Sequence, residues 1–162
     1  MVGQSVDVVF VEFTPEHELE LLRLWRASFH QAVGVEEDTR AEAFDEHLEF
    51  LRSLDPAFIR VAWDASGNRI AGFMRKEGSH ICDLFIHTEC QRMGLGSRFI
   101  RQAKDEEAFL SLNTFELNQG ARRFYEAHGF VVAGRGFASA EDNPWSTSQE
   151  QRADIQYEWR CP

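Results

Sequence analysis

Apolar and polar positions along the chain switch repeatedly between a period of two and a period near 3.6, and each switch marks an element. Val6 to Phe13 alternates and is rich in β-branched residues, which predicts a strand. Thr14-Pro15 then reads as a helix start, a capping residue followed by proline at the first helical position. Leu22, Trp25, Phe29 and Val33 fall on one face of that helix, and Gly34 ends it. Beyond the acidic loop Glu36, Glu37 and Asp38, Thr39 and Glu42 have capping-box spacing. Phe44, Leu48 and Leu51 then recur at helical intervals until Asp55-Pro56 stops the second helix.

Phe58 to Trp63 predicts a strand, Ser66-Gly67-Asn68 a turn, and Ile70 to Arg75 the returning arm of a hairpin. After another turn at Glu77-Gly78-Ser79, His80 to His87 is richer in apolar residues and reads as a central strand. Leu95 to about Lys104 predicts a helix with Leu95, Phe99 and Ala103 inward. A strand over Ala108 to Leu117 and a helix over Gln119 to His128 follow, the latter closed by Gly129. Phe130 to Ala133 predicts a strand, Ala138 to Asp154 a long polar loop, and Ile155 to Arg160 the last strand. The order β-α-α-β-β-β-α-β-α-β-β defines an α/β layered domain with a mixed sheet.

Composition narrows the function more than the fold. The 162 residues suit one domain, over 1–162, with a real core. The balance of 27 acidic and 17 basic residues argues against a nucleic-acid partner. No apolar run is long enough to span a membrane, and MVGQSVDVVFVEF lacks the basic start and apolar centre of a secretory signal. A cytoplasmic location is the expectation. Three cysteines form no C-x-x-C pair, and the six histidines have no ligand spacing, so neither a disulfide framework nor a metal is expected.

The candidate chemistry sits in QRMGLG, Gln91 to Gly96, between a strand and a helix. The first amides of a helix lack intrahelical partners, and its dipole adds partial positive charge there. Such a turn can hold an anion. Ser97 can add a hydroxyl, and Arg92 and Arg98 can add charge. No G-x-x-x-x-G-K-[ST] is present, and position 99 is Phe rather than the third glycine of a dinucleotide fingerprint. By itself the loop is also compatible with a plain strand-to-helix connection.

Two stretches together resemble the GNAT superfamily of acetyl-CoA-dependent N-acetyltransferases. LFIHTECQRMGLGSRFI carries the signature Q/R-x-x-G-x-G/A as Gln91, Gly94 and Gly96. LNQGARRFYEAHGFVVAG matches N-x-x-A-x-x-F-Y-x-x-x-G-F as Asn118, Ala121, Phe124, Tyr125, Gly129 and Phe130. Thr88 stands where proline is common, and Arg92 where many members carry glycine. The resemblance implies a single-domain fold with a mixed, mostly antiparallel sheet, helices on both faces and a splayed central strand pair. It implies acetyl transfer from acetyl-CoA to a primary amine by direct attack. The other reading is a non-catalytic module that binds or senses acyl-CoA.

On that resemblance, the cosubstrate contacts are the loop residues Gln91, Arg92, Met93, Gly94, Leu95, Gly96 and Ser97, together with Asn118, Ala121 and Phe124. The backbone of Leu84, Phe85 and Ile86 pairs with the pantetheine arm as an added strand would. Tyr125 is the candidate acid for the departing thiolate, since a phenol near pKa 10 stays protonated. Asp83 and His87 share one strand face and are the candidate bases, ahead of Glu89. The acceptor end falls to Gly34 to Asp38 and Ala138 to Asp154. There Glu36, Glu37 and Asp38 either attract a cationic amine or are simply solvated. Trp145 and Phe137 either wall an acceptor or meet a second copy in a homodimer.

Overall fold

The computed structural model of the protein describes residues 7–162; Val6, the expected first residue of the first strand, lies outside the described residues. The alternating segments form strands β1 (Val8–Glu12), β2 (Ile59–Asp64), β3 (Arg69–Glu77), β4 (His80–Ile86), β5 (Phe109–Phe115), β6 (Val131–Phe137) and β7 (Ala153–Arg160). The helical segments form α1 (Glu18–Val33), α2 (Ala41–Ser53), α3 (Leu95–Glu106) and α4 (Gln119–Ala127). Each predicted element is present. β6 runs four residues past the predicted Ala133. The Thr39 capping box does not form: Arg40 is the cap residue of α2, with no side-chain cap.

One seven-stranded sheet has the order β1-β2-β3-β4-β5-β7-β6. Every pairing is antiparallel except that of β4 with β5. α3 and α4 bury Leu95, Phe99, Ile100, Ala103 and Tyr125 against Ile81, Leu110, Leu112, Ile155 and Tyr157 on one face. α1 and α2 bury Leu21, Leu22, Leu24, Trp25 and Leu51 against Ile59, Val61, Ile70 and Phe73 on the other. Two separate apolar cores on opposite faces make a three-layer domain. The fold is the one the sequence pattern and the resemblance imply.

The parallel pair is the feature that positions the site. β4 and β5 share only two registered positions, His80 with Ser111 and Ile81 with Leu112. β5 stays paired to β7 along its whole length, from Phe109 with Arg160 to Phe115 with Asp154. β4 stays paired to β3 up to Ile86. Beyond Ile81 the two strands therefore follow different neighbours, and the sheet opens between them.

Candidate acyl-transfer site

Backbone parity decides which groups face the opening. The His87 amide donates to the Ala71 carbonyl at 2.8 Å. In an antiparallel ladder, hydrogen-bonded and non-hydrogen-bonded pairs alternate. With Phe73 opposite Phe85, that pair exchanges both of its bonds. The partners Gly72 with Ile86 and Met74 with Leu84 are then the non-bonded pairs. Hence the N–H and C=O of Leu84 and Ile86 point away from β3, into the seam. A bulge between Arg75 and Lys76 sets this phase, since it shifts the register between Asp83 and Ile81. Of the three residues expected to pair with pantetheine, Phe85 is corrected: its backbone is spent on β3, and its side chain packs into the α1 core.

The Ile86 carbonyl is also taken. It accepts from Ser28 Oγ at 3.1 Å and from Gln91 Nε2 at 3.1 Å. The groups left to pair with a ligand along the seam are therefore Leu84 N–H, Leu84 C=O and Ile86 N–H. Gln91 ties the loop to the strand end and, at 3.3 Å, to Gln31 of α1.

The glycine loop forms the other half of the site. Gly94, at φ 82°, caps α3 in the left-handed region, where a side chain is strained. Arg92 is also left-handed, at φ 62°. That conformation explains why glycine suits the position, and a non-glycine residue there costs about 1–2 kcal/mol. Two left-handed residues so close turn successive N–H groups into one concavity. The first α3 amide with an internal acceptor is that of Arg98, to Gly94 O at 3.1 Å. The amides of Gly94, Leu95, Gly96 and Ser97 precede it and have no intrahelical acceptor. At Gly96 a Cβ would meet the Phe124 ring at 3.1 Å, so the helix and the ring approach as closely as they do only without one.

Seam and loop open into one cavity of about 700 Å³. It is lined by Leu84, Phe85 and Ile86 of β4, by the loop from Gln91 to Ser97 except Met93, and by Asn118, Ala121, Phe124 and Tyr125. The spacing of Ala121, Phe124 and Tyr125 places all three on one face of α4. Asn118 caps that helix, its Oδ1 accepting from the Ala121 amide at 3.0 Å. Its Nδ2 group is left to donate into the cavity. Tyr125 is buried, in contact with the rings of Phe124 and Phe130. Burial and then the Asp83 carboxylate raise its phenol above the usual value. It is protonated throughout the neutral range.

Several expected site residues are elsewhere. Met93 does not line the cavity. Asp83 forms an ion pair with Arg75, at 2.7 Å, and does not line it either. Burial raises the Asp83 carboxyl, and the Arg75 guanidinium opposes that rise. His87 accepts from the Glu89 amide and faces a smaller cavity with Glu20, Arg23 and Thr88. Glu89 pairs with Arg69. No carboxylate or imidazole is among the lining residues: Asp83 acts on the Tyr125 phenol through its charge, but neither Asp83 nor His87 lines the cavity. Arg98 stacks over Phe10 at 5.0 Å instead of facing the loop.

The acceptor end is also internally tied. Glu37 pairs with the buried Arg26 at 3.0 Å, and Asp38 with Arg40 at 2.6 Å. Hydrogen bonds from Arg40 hold the Asp38 carboxyl at about 2. Only Glu36 of the three acids is left exposed without such a pairing among the described residues. Trp145 packs between Phe29 and Phe115, with centroid separations of 5.3 and 5.1 Å. It closes the far end of the seam from the β6–β7 loop, whereas Phe137 stays exposed. Ser28, Gln31, Ala32, Gly120 and Arg123 also line the cavity and were not expected. Ser28 had a readable signal, a buried polar residue on the apolar stripe of α1 one turn after Trp25.

An open seam in a mixed sheet, beside a helix N-terminus of free amides, defines a cleft suited to an extended ligand with an anionic group. Residues 31–141 match the family described as Acetyltransferase (GNAT) domain, and the chain belongs to that family. Among curated proteins it is 26% identical, over 70 residues, to the peptidyl-lysine N-acetyltransferase YiaC of Escherichia coli K12. That match covers 43% of the chain and spans about half the relative, 48% of its length. The solution structure of apo YjaB from Escherichia coli superposes with a TM-score of 0.71 at 23% identity, over 96% of this chain and 99% of that one. A candidate streptothricin acetyltransferase of Bacillus anthracis, solved with acetyl coenzyme A, is 27% identical over 64% of this chain and 63% of its own, with a TM-score of 0.52.

Proposed function

We propose that the protein is an N-acetyltransferase that moves the acetyl group of acetyl-CoA onto a primary amine by direct attack. One observation carries this reading: the seam-facing Leu84 N–H and C=O, the Ile86 N–H and the free amides of residues 94–97 line the same cavity as Tyr125. The cosubstrate's diphosphate lies against the α3 N-terminus. Its pantetheine amides pair with Leu84 N–H and C=O and with Asn118 Nδ2. The Ile86 N–H is the remaining seam donor and polarises the thioester carbonyl as its oxygen gains negative charge.

The neutral amine nitrogen attacks the carbonyl carbon. A C–N bond forms, the C–S bond breaks, and the sulfur leaves with the electron pair. The Tyr125 phenol donates its proton to that sulfur, and the proton lost by the amine leaves through water, since no base lines the cavity. Aromatic closure by Phe29, Phe115 and Trp145 keeps the thioester from bulk water. Gln91 acts through the Ile86 carbonyl by fixing the loop on the strand end.

On the same reading, residues 1–162 are a single acyltransferase domain in the cytoplasm, free or homodimeric, with neither a nucleic-acid nor a membrane partner. Among the described residues no helix is long and apolar enough to cross a membrane. Likeness to YiaC puts lysine peptides first among the acceptors. The test is calorimetry with acetyl-CoA followed by free-thiol release with lysine peptides, peptide N-termini, polyamines and amino acids. Binding together with amine-dependent thiol release is expected. Tight binding with no thiol release across the panel would make the chain an acyl-CoA-binding module instead.

A further inference from the structure

His128, three residues after Tyr125, holds a position that the transfer chemistry does not use. Its Nε2 lies 3.0 Å from Ser97 Oγ, and Ser97 belongs to the free-amide turn that lines the cavity. Its ring packs at 4.6 Å on Phe124, which also lines the cavity. The Lys104 ammonium donates to its backbone carbonyl at 2.5 Å. The C-terminus of α4 is thereby fixed to α3, and the packing on Phe124 holds the ring beside Ser97.

We infer that His128 is a positioning residue for the cosubstrate's diphosphate: with hydrogen on Nε2 it donates to Ser97 Oγ, and so turns the serine's own proton toward the anion. The inference rests on the acetyl-CoA reading of the same cavity. A serine hydroxyl has one proton and can accept two bonds. If Nε2 carries hydrogen, it occupies an acceptor site of Oγ and leaves the serine proton for the phosphate. If Nε2 is bare, Ser97 donates to the imidazole, and its oxygen lone pairs meet the anion. The neutral ring offers both tautomers, and the imidazolium only the favourable one. An anion in the turn therefore selects the Nε2–H forms.

The groups that face the ring, two of them charged, are named by the packing. From α3 come Ser97, Arg101 and Lys104, one helical stripe. From α4 comes Phe124. Burial, Lys104 and Arg101 keep the ring's titration on the acid side of the ordinary imidazole value. A bound diphosphate opposes those cations, so CoA binding raises the ring's proton affinity. By linkage, affinity for CoA gains as pH falls through this range.

The experiment is calorimetry of CoA binding to the intact protein, from about pH 7.5 to about pH 5.5, with wild type, His128→Gln, Ser97→Ala and the double variant carrying both substitutions. His128→Gln keeps an amide donor near Ser97 but does not titrate, so its curve carries the cosubstrate's own phosphate titration. The ratio of wild-type to His128→Gln affinity should rise about threefold toward the acid end. In the Ser97→Ala background the same ratio should be flat, because the two residues act as one unit. Saturated turnover should be the same in wild type and His128→Gln, with the change confined to acetyl-CoA affinity. A flat ratio in the presence of Ser97, or an unchanged slope without it, would overturn the assignment. Absence of CoA binding to the wild type would instead defeat the acetyl-CoA reading on which it stands.

Discussion

Tyr125→Phe is expected to lower kcat by about a hundredfold to ten-thousandfold, the range typical of losing a general acid. Acetyl-CoA affinity should stay within about twofold, because the ring, its packing on Phe124 and Phe130 and the shape of the cavity are retained. The phenol makes no hydrogen bond to another described residue, so its removal strands no partner. Burial raises the phenol's pKa, and a thiolate forming in the same dry cavity is raised by the same physics. The burial that raises the phenol therefore does not by itself spoil the match between the two groups. It also follows that Tyr125 gives no falling limb of activity below about pH 10. Steady-state kinetics with calorimetry on the same preparation separates the two quantities. Unchanged kcat would remove Tyr125 as the acid.

Gly96→Asp should abolish useful cosubstrate binding while leaving the fold intact. Position 96 is in the first turn of α3, where an acid is favoured by the helix dipole. Its carboxylate would occupy the concavity meant for the diphosphate. Two like charges about 4 Å apart repel by roughly 4 kcal/mol near a protein surface, and water and salt screen part of that. A loss of about a hundredfold in acetyl-CoA affinity is the expected result. Gly96→Ala is the control for crowding. Its Cβ meets only the Phe124 ring edge, which must give by a few tenths of an ångström, so a loss of about threefold is expected. The two variants, compared by calorimetry and thermal unfolding, divide charge from space.

Much of this was legible in the sequence, for identifiable reasons. Strand and helix periods, Gly34 and Gly129 as helix ends, and the two motifs follow from local chemistry that neighbouring residues cannot override. The loop at 91–97 was found because its requirement is a backbone conformation, and glycine reports backbone conformation directly. The ion pair of Asp83 was not legible for the opposite reason. Its partner Arg75 is across a hairpin whose register is shifted by a bulge, and alternation alone does not reveal a bulge. The same bulge decided that Leu84 and Ile86, not Phe85, face the seam. The acid at 37 looked free because Arg26 meets it only after α1 and α2 have packed. Trp145 offered two readings on sequence, and its place between Phe29 and Phe115 depends on a loop of irregular conformation.

The central claim is that free backbone amides, at the α3 turn and along one phase of β4, hold the cosubstrate. It is tested most directly by titrating isotope-labelled protein with CoA and following individual backbone amide resonances. The account predicts large shifts at Gly94, Leu95, Gly96, Ser97, Leu84 and Ile86, with Phe85 nearly still because its N–H stays bonded to β3. Saturable binding that moves Phe85 as much as its neighbours, or leaves residues 94–97 unmoved, would contradict it.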